Sequence, residues 1–233
     1  MIDRGRFIAN LANYNIVLSE IQLDQLELYA KILVEYNEKV NLTAITDPLG
    51  IENKHFLDSL LFAKDTRVEG SVIDVGTGAG FPGIVAKIYK PNIKLTLLEP
   101  TGKRCTFLQY ALDTLGLEGT VVKERAEEAA RKGFREQYDV ATARAVADLR
   151  VLCEYCIPLV KQGGYFIPMK GELGTELDNS KHAIAKLGAK YIETIKFSLI
   201  DEDKRSLVVC KKISATPQAY PRNGGKISKS PIT

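Results

Sequence analysis

From Ser19 onward, apolar Ile21, Leu23, Leu26, Leu28, Tyr29, Ile32, Leu33 and Tyr36 recur at helical intervals, and Ser19-Glu20-Ile21-Gln22 has the spacing of a capping box. One long amphipathic helix is predicted from there to about Val40. Turn chemistry at Asp47-Pro48-Leu49-Gly50 precedes Ile51 to Ala63, where Phe56, Leu57, Leu60 and Leu61 predict a second helix. After Gly70 the pattern changes to short β-branched runs, each followed by a helix-like segment: Val72 to Val75, Lys94 to Leu98, Thr120 to Lys123, Tyr138 to Ala143 and Tyr165 to Met169. Strands joined through single helices require right-handed crossovers, so the pattern predicts an α/β domain with a doubly wound, mostly parallel sheet. Lys190 to Leu199 and Ser206 to Lys212 have only turn residues between them and predict a C-terminal antiparallel hairpin. The stretch 214–233 carries Pro217, Pro221, Pro231, Gly224 and Gly225 and predicts no regular element. The expected organisation is an N-terminal helical appendage over 1–66, the α/β domain over 67–213 and a basic tail over 214–233.

Composition narrows the classes. With 233 residues, 45% hydrophobic and 26% charged, the chain can bury a sizeable core and is neither collagenous nor wholly disordered. No apolar run is long enough for a membrane span or a signal-peptide core, so a cytoplasmic protein with no membrane partner is expected. Four cysteines are too few for a disulfide scaffold and are read as reduced. Cys153-Glu-Tyr-Cys156 reads as helix interior, with no further ligands at zinc spacing, so no metal is expected. A net charge of +3 says little, but its distribution says more: Met1 to Asp65 holds ten acidic against six basic residues, while Lys204 to Thr233 holds seven basic residues and no acid. Such a tail is either a solvated terminus or a surface that meets phosphate.

Candidate chemistry lies in Ser71-Val-Ile-Asp-Val-Gly76-Thr-Gly78-Ala-Gly80-Phe81-Pro82-Gly83, a buried strand ending in a glycine-rich turn that opens a helix. Such a turn lets a ligand approach backbone more closely than a Cβ allows. By spacing alone, Gly78, Gly80 and Gly83 with Glu99 also satisfy a dinucleotide fingerprint. Asp74 favours another ligand. A carboxylate there repels a pyrophosphate, whereas S-adenosylmethionine carries a sulfonium and an ammonium that an acidic cleft stabilises. Glu99, at the end of the second strand, is placed to accept hydrogen bonds from both ribose hydroxyls. Arg125-Ala126-Glu127 follows the third strand, where it can border an adenine ring.

Six segments in order then carry a resemblance covering nearly the whole chain: Tyr36-Asn37-x3-Asn41-Leu42-Thr43-Ala44, His55-x2-Asp58-Ser59-Leu60, Asp74 to Gly83, Arg125-Ala126-Glu127, Ala143-Arg144-Ala145-Val146 and Tyr220-Pro221-Arg222. The chain resembles the bacterial small-subunit (16S) ribosomal RNA guanine-N7 methyltransferases, also called the glucose-inhibited division protein B family. The resemblance implies a class I, Rossmann-like methyltransferase fold, S-adenosylmethionine as methyl donor, and 16S ribosomal RNA, the small subunit or an assembly intermediate as partner. It also implies cofactor contacts at Gly76, Phe81, Glu99 to Thr101, Ala126, Glu127 and Arg144, alongside Gly78 of the turn. Tyr36 stands where the family more often has tryptophan, and Pro100 with Gly102 stiffens the loop after Glu99.

The residues themselves leave the methylated atom open. Ala143-Arg144-Ala145-Val146 lacks the polar residue and prolines typical of exocyclic-amine methylation, and none of the four cysteines follows a proline, as a C5 nucleophile usually does. Guanine N7 has an in-plane lone pair and needs only alignment, which can supply about 7–11 kcal/mol of a barrier. No catalytic base is therefore expected, with Arg144 as a positioning group or, alternatively, the partner of Asp139 or Asp148. His55 reads as a hydrogen-bonded helix histidine outside catalysis. Lys170, Arg222, Lys226 and Lys229 are the candidate RNA contacts. The rivals are an NAD-dependent oxidoreductase, a non-catalytic RNA-binding scaffold and a methyltransferase of another base atom or of protein. The oligomeric state stays open, with a monomer favoured.

Overall fold

The computed structural model describes residues 2–233. Asp3 caps α1 (Arg4–Ala12), and α2 (Glu20–Asn37) opens on the capping box, with Ser19 N donating to Gln22 Oε1 at 2.9 Å and Gln22 N to Ser19 Oγ at 3.3 Å. The helix stops at Asn37, short of Val40, because Asn37 Oδ1 accepts the amides of Leu42 and Thr43 at 2.8 and 3.0 Å and turns the chain. Leu23, Leu26, Tyr29, Ile32 and Leu33 are buried, as their spacing predicts, while Ile21 stays 70% exposed. Asp47 caps a single turn, α3 (Pro48–Gly50), which continues through a π-wound segment (Ile51–Leu57) into α4 (Asp58–Lys64). The second predicted helix is thus present, with its first half π-wound. π segments are rare and recur where side chains must be re-aimed.

The sheet has β1 (Ser71–Val75) at its centre, with β2 (Lys94–Leu98) and β3 (Thr120–Val122) on one side and β4 (Tyr138–Thr142) and β5 (Val160–Phe166) on the other, all parallel. A short β6 (Met169–Lys170) continues from β5, and β7 (Ala189–Ser198) and β8 (Lys204–Lys212) form the antiparallel hairpin. Through Phe166↔Cys210 and Met169↔Leu207, β8 joins the hairpin to β5 and β6. The order is β3, β2, β1, β4, β5 with β6, β8, β7.

Helices α5 (Gly83–Tyr89) and α6 (Gly102–Leu115) cover one face together with α1 and α2, in an apolar cluster that includes Leu95 and Leu97. Helices α7 (Ala126–Lys132), α8 (Leu149–Cys156) and α9 (Glu176–Lys186) cover the other, where Ile73, Val75 and Leu98 point. Neighbours Leu97 and Leu98 dividing between the two faces is the alternation of a strand buried on both sides. Each such residue contributes about 1.5–3 kcal/mol by leaving water. The tail differs from its expectation. Asn223 caps α10 (Gly224–Lys229), and the burial of Ile227 holds this six-residue helix in place despite its two glycines. No helix among the described residues is long and apolar enough to cross a membrane.

Candidate cofactor and target site

The chain leaves β1 into a loop where Gly76, Gly78 and Gly80 take φ values of +66°, +61° and +97°. Side chains rarely adopt these angles. A Cβ at Gly76 would lie 2.8 Å from Val146 Cγ2, whereas one at Gly78 would meet nothing within 4 Å. Gly78 is therefore the open face of the cradle. Beneath it, Asp74 Oδ2 accepts from Thr77 Oγ1 at 2.6 Å and from Gly83 N at 2.8 Å, tying the loop's start to its end. Asp74 Oδ1 has no partner, and burial pushes this carboxyl up to about 6. Asp74 is wholly buried, so it holds the loop's underside and lines neither of the cavities described below.

Glu99, 2% exposed at the end of β2, supports the same loop from the side. Its Oε2 accepts from Gly78 N at 3.1 Å and its Oε1 from Thr101 N at 2.9 Å. Each oxygen keeps a lone pair for a further donor. Next to it opens a cavity of about 330 Å³, whose lining includes Gly76, Pro100, Ala126, Glu127, Tyr155 and Ser228. That volume lies at the lower end of the range for small-molecule sites. α10 closes one side of the cavity through Ser228, and Gly224 packs against the Glu127 carboxylate, which a Cβ there would displace.

Phe81 and Arg144 fall on the other side of the loop. Phe81 stacks on His55 with ring centroids 4.3 Å apart and on Tyr29 at 5.1 Å, and the Arg144 guanidinium lies 5.1 Å from its centroid. Arg144 pairs with neither Asp139 nor Asp148. Its Nη1 donates to Lys54 O at 2.8 Å and to Asp58 Oδ2 at 3.1 Å, and its Nη2 donates to His55 Nδ1 at 3.2 Å. His55 Nε2 then carries the proton and donates to Thr43 Oγ1 at 3.0 Å. Burial, reinforced by Arg144, lowers His55 to about 3, so the ring is neutral near pH 7. A second cavity of about 330 Å³ opens here, with Lys54, His55, Asp58, Arg144, Lys170 and Arg205 in its lining. The sequence pattern singles out Arg144, Lys170 and the motif containing His55 and Asp58, which the fold brings together here, but nothing in it points to Lys54 or Arg205. The segment after β4 serves both cavities: Arg144 and Ala145 line the second, Val146 and Ala147 the first.

The candidate RNA contacts separate. Lys226 and Lys229 are exposed on α10 and carry no ion pair among the described residues. Lys170 is tied to Glu176 Oε2 at 2.8 Å and to Ala147 O at 2.9 Å. Arg222 is spent on the buried Glu154 at 2.6 Å, which removes it from the solvent-facing set. Cys153 and Cys156 are fully buried in α8 as free thiols, and burial raises both well above the usual thiol range.

A sheet of this order, with a glycine cradle and an acidic strand end at the carboxyl edge of its first two strands, defines a class I S-adenosylmethionine-dependent methyltransferase. The solved structures agree on the fold: a SAM-dependent O-methyltransferase from Thermotoga maritima superposes with a TM-score of 0.55 at 15% identity, covering 80% of this chain and 73% of that one. A complex of the Haloferax volcanii Trm112 methyltransferase activator with a methyltransferase gives 0.57 at 15% identity, covering 78% and 98%. Residues 22–208 match the family described as rRNA small subunit methyltransferase G, and the chain belongs to that family. Ribosomal RNA small subunit methyltransferase G of Alkaliphilus metalliredigens is 51% identical over 92% of each chain, and that of Lysinibacillus sphaericus is 47% identical over 99% of this chain and 100% of its own.

Proposed function

We propose that this protein transfers a methyl group from S-adenosylmethionine to N7 of a guanine in 16S ribosomal RNA. The observation that carries the reading is the pair of cavities along 144–147, one fit for a nucleoside beside the glycine cradle and one lined by cations and a carboxylate. S-adenosylmethionine, when bound, supplies a methyl group activated by a sulfonium. Glu99 would accept from its ribose hydroxyls, Gly76 and Gly78 would give it backbone approach, and Ala126 and Glu127 would border the adenine; Thr101 fixes the Glu99 carboxylate. Phe81 and Arg144 would form the wall toward the target, with Arg144 held in place by Asp58 and His55.

On the target side, the only imidazole has both nitrogens engaged and a pKa near 3, and no cysteine lines the cavity. This supports a reaction that needs neither a histidine base nor a covalent nucleophile, and N7 attack through its own lone pair needs only alignment. Residues 1–66, 67–213 and 214–233 then share the work. The helical part supplies Lys54, His55 and Asp58 to the target cavity, the sheet supplies the cradle, and Lys226 and Lys229 of the tail meet phosphate. The test is incubation with unmodified small subunits and labelled S-adenosylmethionine, followed by digestion to nucleosides and mass spectrometry. The expected product is 7-methylguanosine; a different methylated nucleoside, or label in ribosomal protein, overturns the assignment.

A further inference from the structure

Holding Arg144 in place occupies only one oxygen of the Asp58 carboxylate. Asp58, the first residue of α4, is 3% exposed and lines the cavity. Its Oδ2 accepts from Arg144 Nη1 at 3.1 Å, but its Oδ1 has no hydrogen-bond partner, and Arg205 Nε stands off at 3.7 Å. An unsatisfied carboxylate oxygen is costly to bury, and native proteins keep few such groups without a reason. Burial raises this carboxyl against the opposing pull of Arg144 and Arg205, the mark of a charge short of donors. The rest of the charged lining, Lys54, Arg144, Lys170 and Arg205, consists of donors only.

We infer that Asp58 is the residue that selects guanine, by accepting hydrogen bonds from its N1–H and 2-amino groups. The inference rests on the proposed methylation of a guanine and deepens it. Guanine alone among the RNA bases presents two adjacent donors on its Watson–Crick edge, at a spacing that matches two carboxylate oxygens. Adenine and cytosine present an acceptor at the ring nitrogen, and uracil presents one donor between two carbonyls. Guanine O6 then faces the cationic part of the lining. N7 lies on the opposite edge of the purine, so a base held by Asp58 keeps N7 free. The π winding of 51–57 matters because it sets where α4 begins, and so where the Asp58 carboxylate stands.

Inosine keeps N1–H, O6 and N7 but lacks the 2-amino group. Once the guanine methylated by the wild type has been located, small subunits are reconstituted with a single inosine there and methyl transfer is compared. For the wild type, kcat/KM is expected to fall about 10- to 100-fold on inosine, the loss expected for one hydrogen bond to a charged acceptor. Asp58→Asn is expected to fall similarly on guanine and to show no further loss on inosine. Wild-type protein that methylates inosine as fast as guanine overturns the inference whether or not Asp58→Asn folds. Asp58→Asn that discriminates as the wild type does also overturns it. A wild type that forms no 7-methylguanosine on unmodified subunits removes the methylation reading itself, and this inference with it.

Discussion

Glu154, with no exposed surface in α8, accepts four hydrogen bonds from Arg222, 68 residues later: backbone N to Oε1 at 2.7 Å, Nε to Oε1 at 2.9 Å, Nε to Oε2 at 3.1 Å and Nη2 to Oε2 at 2.6 Å. An arginine that looked like a phosphate contact is the bolt that fastens the tail. Arg131 and Arg135 add to it by donating to the carbonyls of Pro221 and Tyr220.

Breaking such a pair from one side leaves a buried charge without a partner, which costs about 3–5 kcal/mol. Arg222→Ala is therefore expected to lower stability by about that amount in urea unfolding while leaving the salt dependence of RNA binding unchanged. A stable Arg222→Ala variant with a shallower salt slope would return the residue to the RNA surface.

Two glycines of the cradle should respond differently to alanine. At Gly83 a Cβ would lie 2.6 Å from Leu97 Cδ2 and 2.9 Å from Asp74 Oδ2, in close-packed space, so Gly83→Ala should destabilise by about 1–3 kcal/mol. At Gly78 the added atom meets nothing and the left-handed backbone costs only about 1–2 kcal/mol. There the penalty should fall on the cofactor, with Kd for S-adenosylmethionine rising about tenfold, equivalent to 1.4 kcal/mol. Calorimetric titration separates the two effects. Undiminished affinity in Gly78→Ala means that the ligand does not lie against this glycine.

The fold was legible because its signals are local: β-branched runs, intervening helices and a glycine turn at a strand end. Glu99 was legible for the same reason, as a charge where an apolar strand stops. What escaped the sequence depends on distant contacts. Sequence proximity offers Arg144 the partners Asp139 and Asp148, but its partner Asp58 lies 86 residues away. The π winding at Ile51–Leu57 escaped because apolar spacing over two turns barely distinguishes it from α. The tail looked irregular because nothing in a stretch with prolines and glycines announces that Ile227 will find a buried seat.

The surface that meets RNA can be read from salt. Lys226 and Lys229, exposed and without an ion pair among the described residues, are free to displace counterions from phosphate. Each phosphate contact contributes about 0.7 to 0.9 to the log–log slope, so the double Ala variant should bind with a slope shallower by about 1.4 to 1.8. Filter binding from low to moderate salt measures this directly. An unchanged slope would place the RNA elsewhere on the protein.

Asp74 gives a pH dependence whose sign follows from its burial. In the unfolded chain its carboxyl titrates near ~3.9. In the folded protein burial raises it to about 6, despite the bonds from Thr77 and Gly83 that favour the charged form. Between these values the folded state holds a proton that the unfolded state has lost, so stability falls as pH rises from about 4 to about 6 and levels off above. The difference corresponds to about 3 kcal/mol at most. Asp74→Asn keeps an oxygen for the Gly83 amide and removes the charge. The stability difference between Asp74→Asn and wild type should therefore open in favour of the variant across that window and stay constant from pH 7 to 8. Urea midpoints at each pH measure it, and a difference that does not change between pH 4 and 6 would mean that Asp74 is ionised throughout, with water or a cation at its free oxygen.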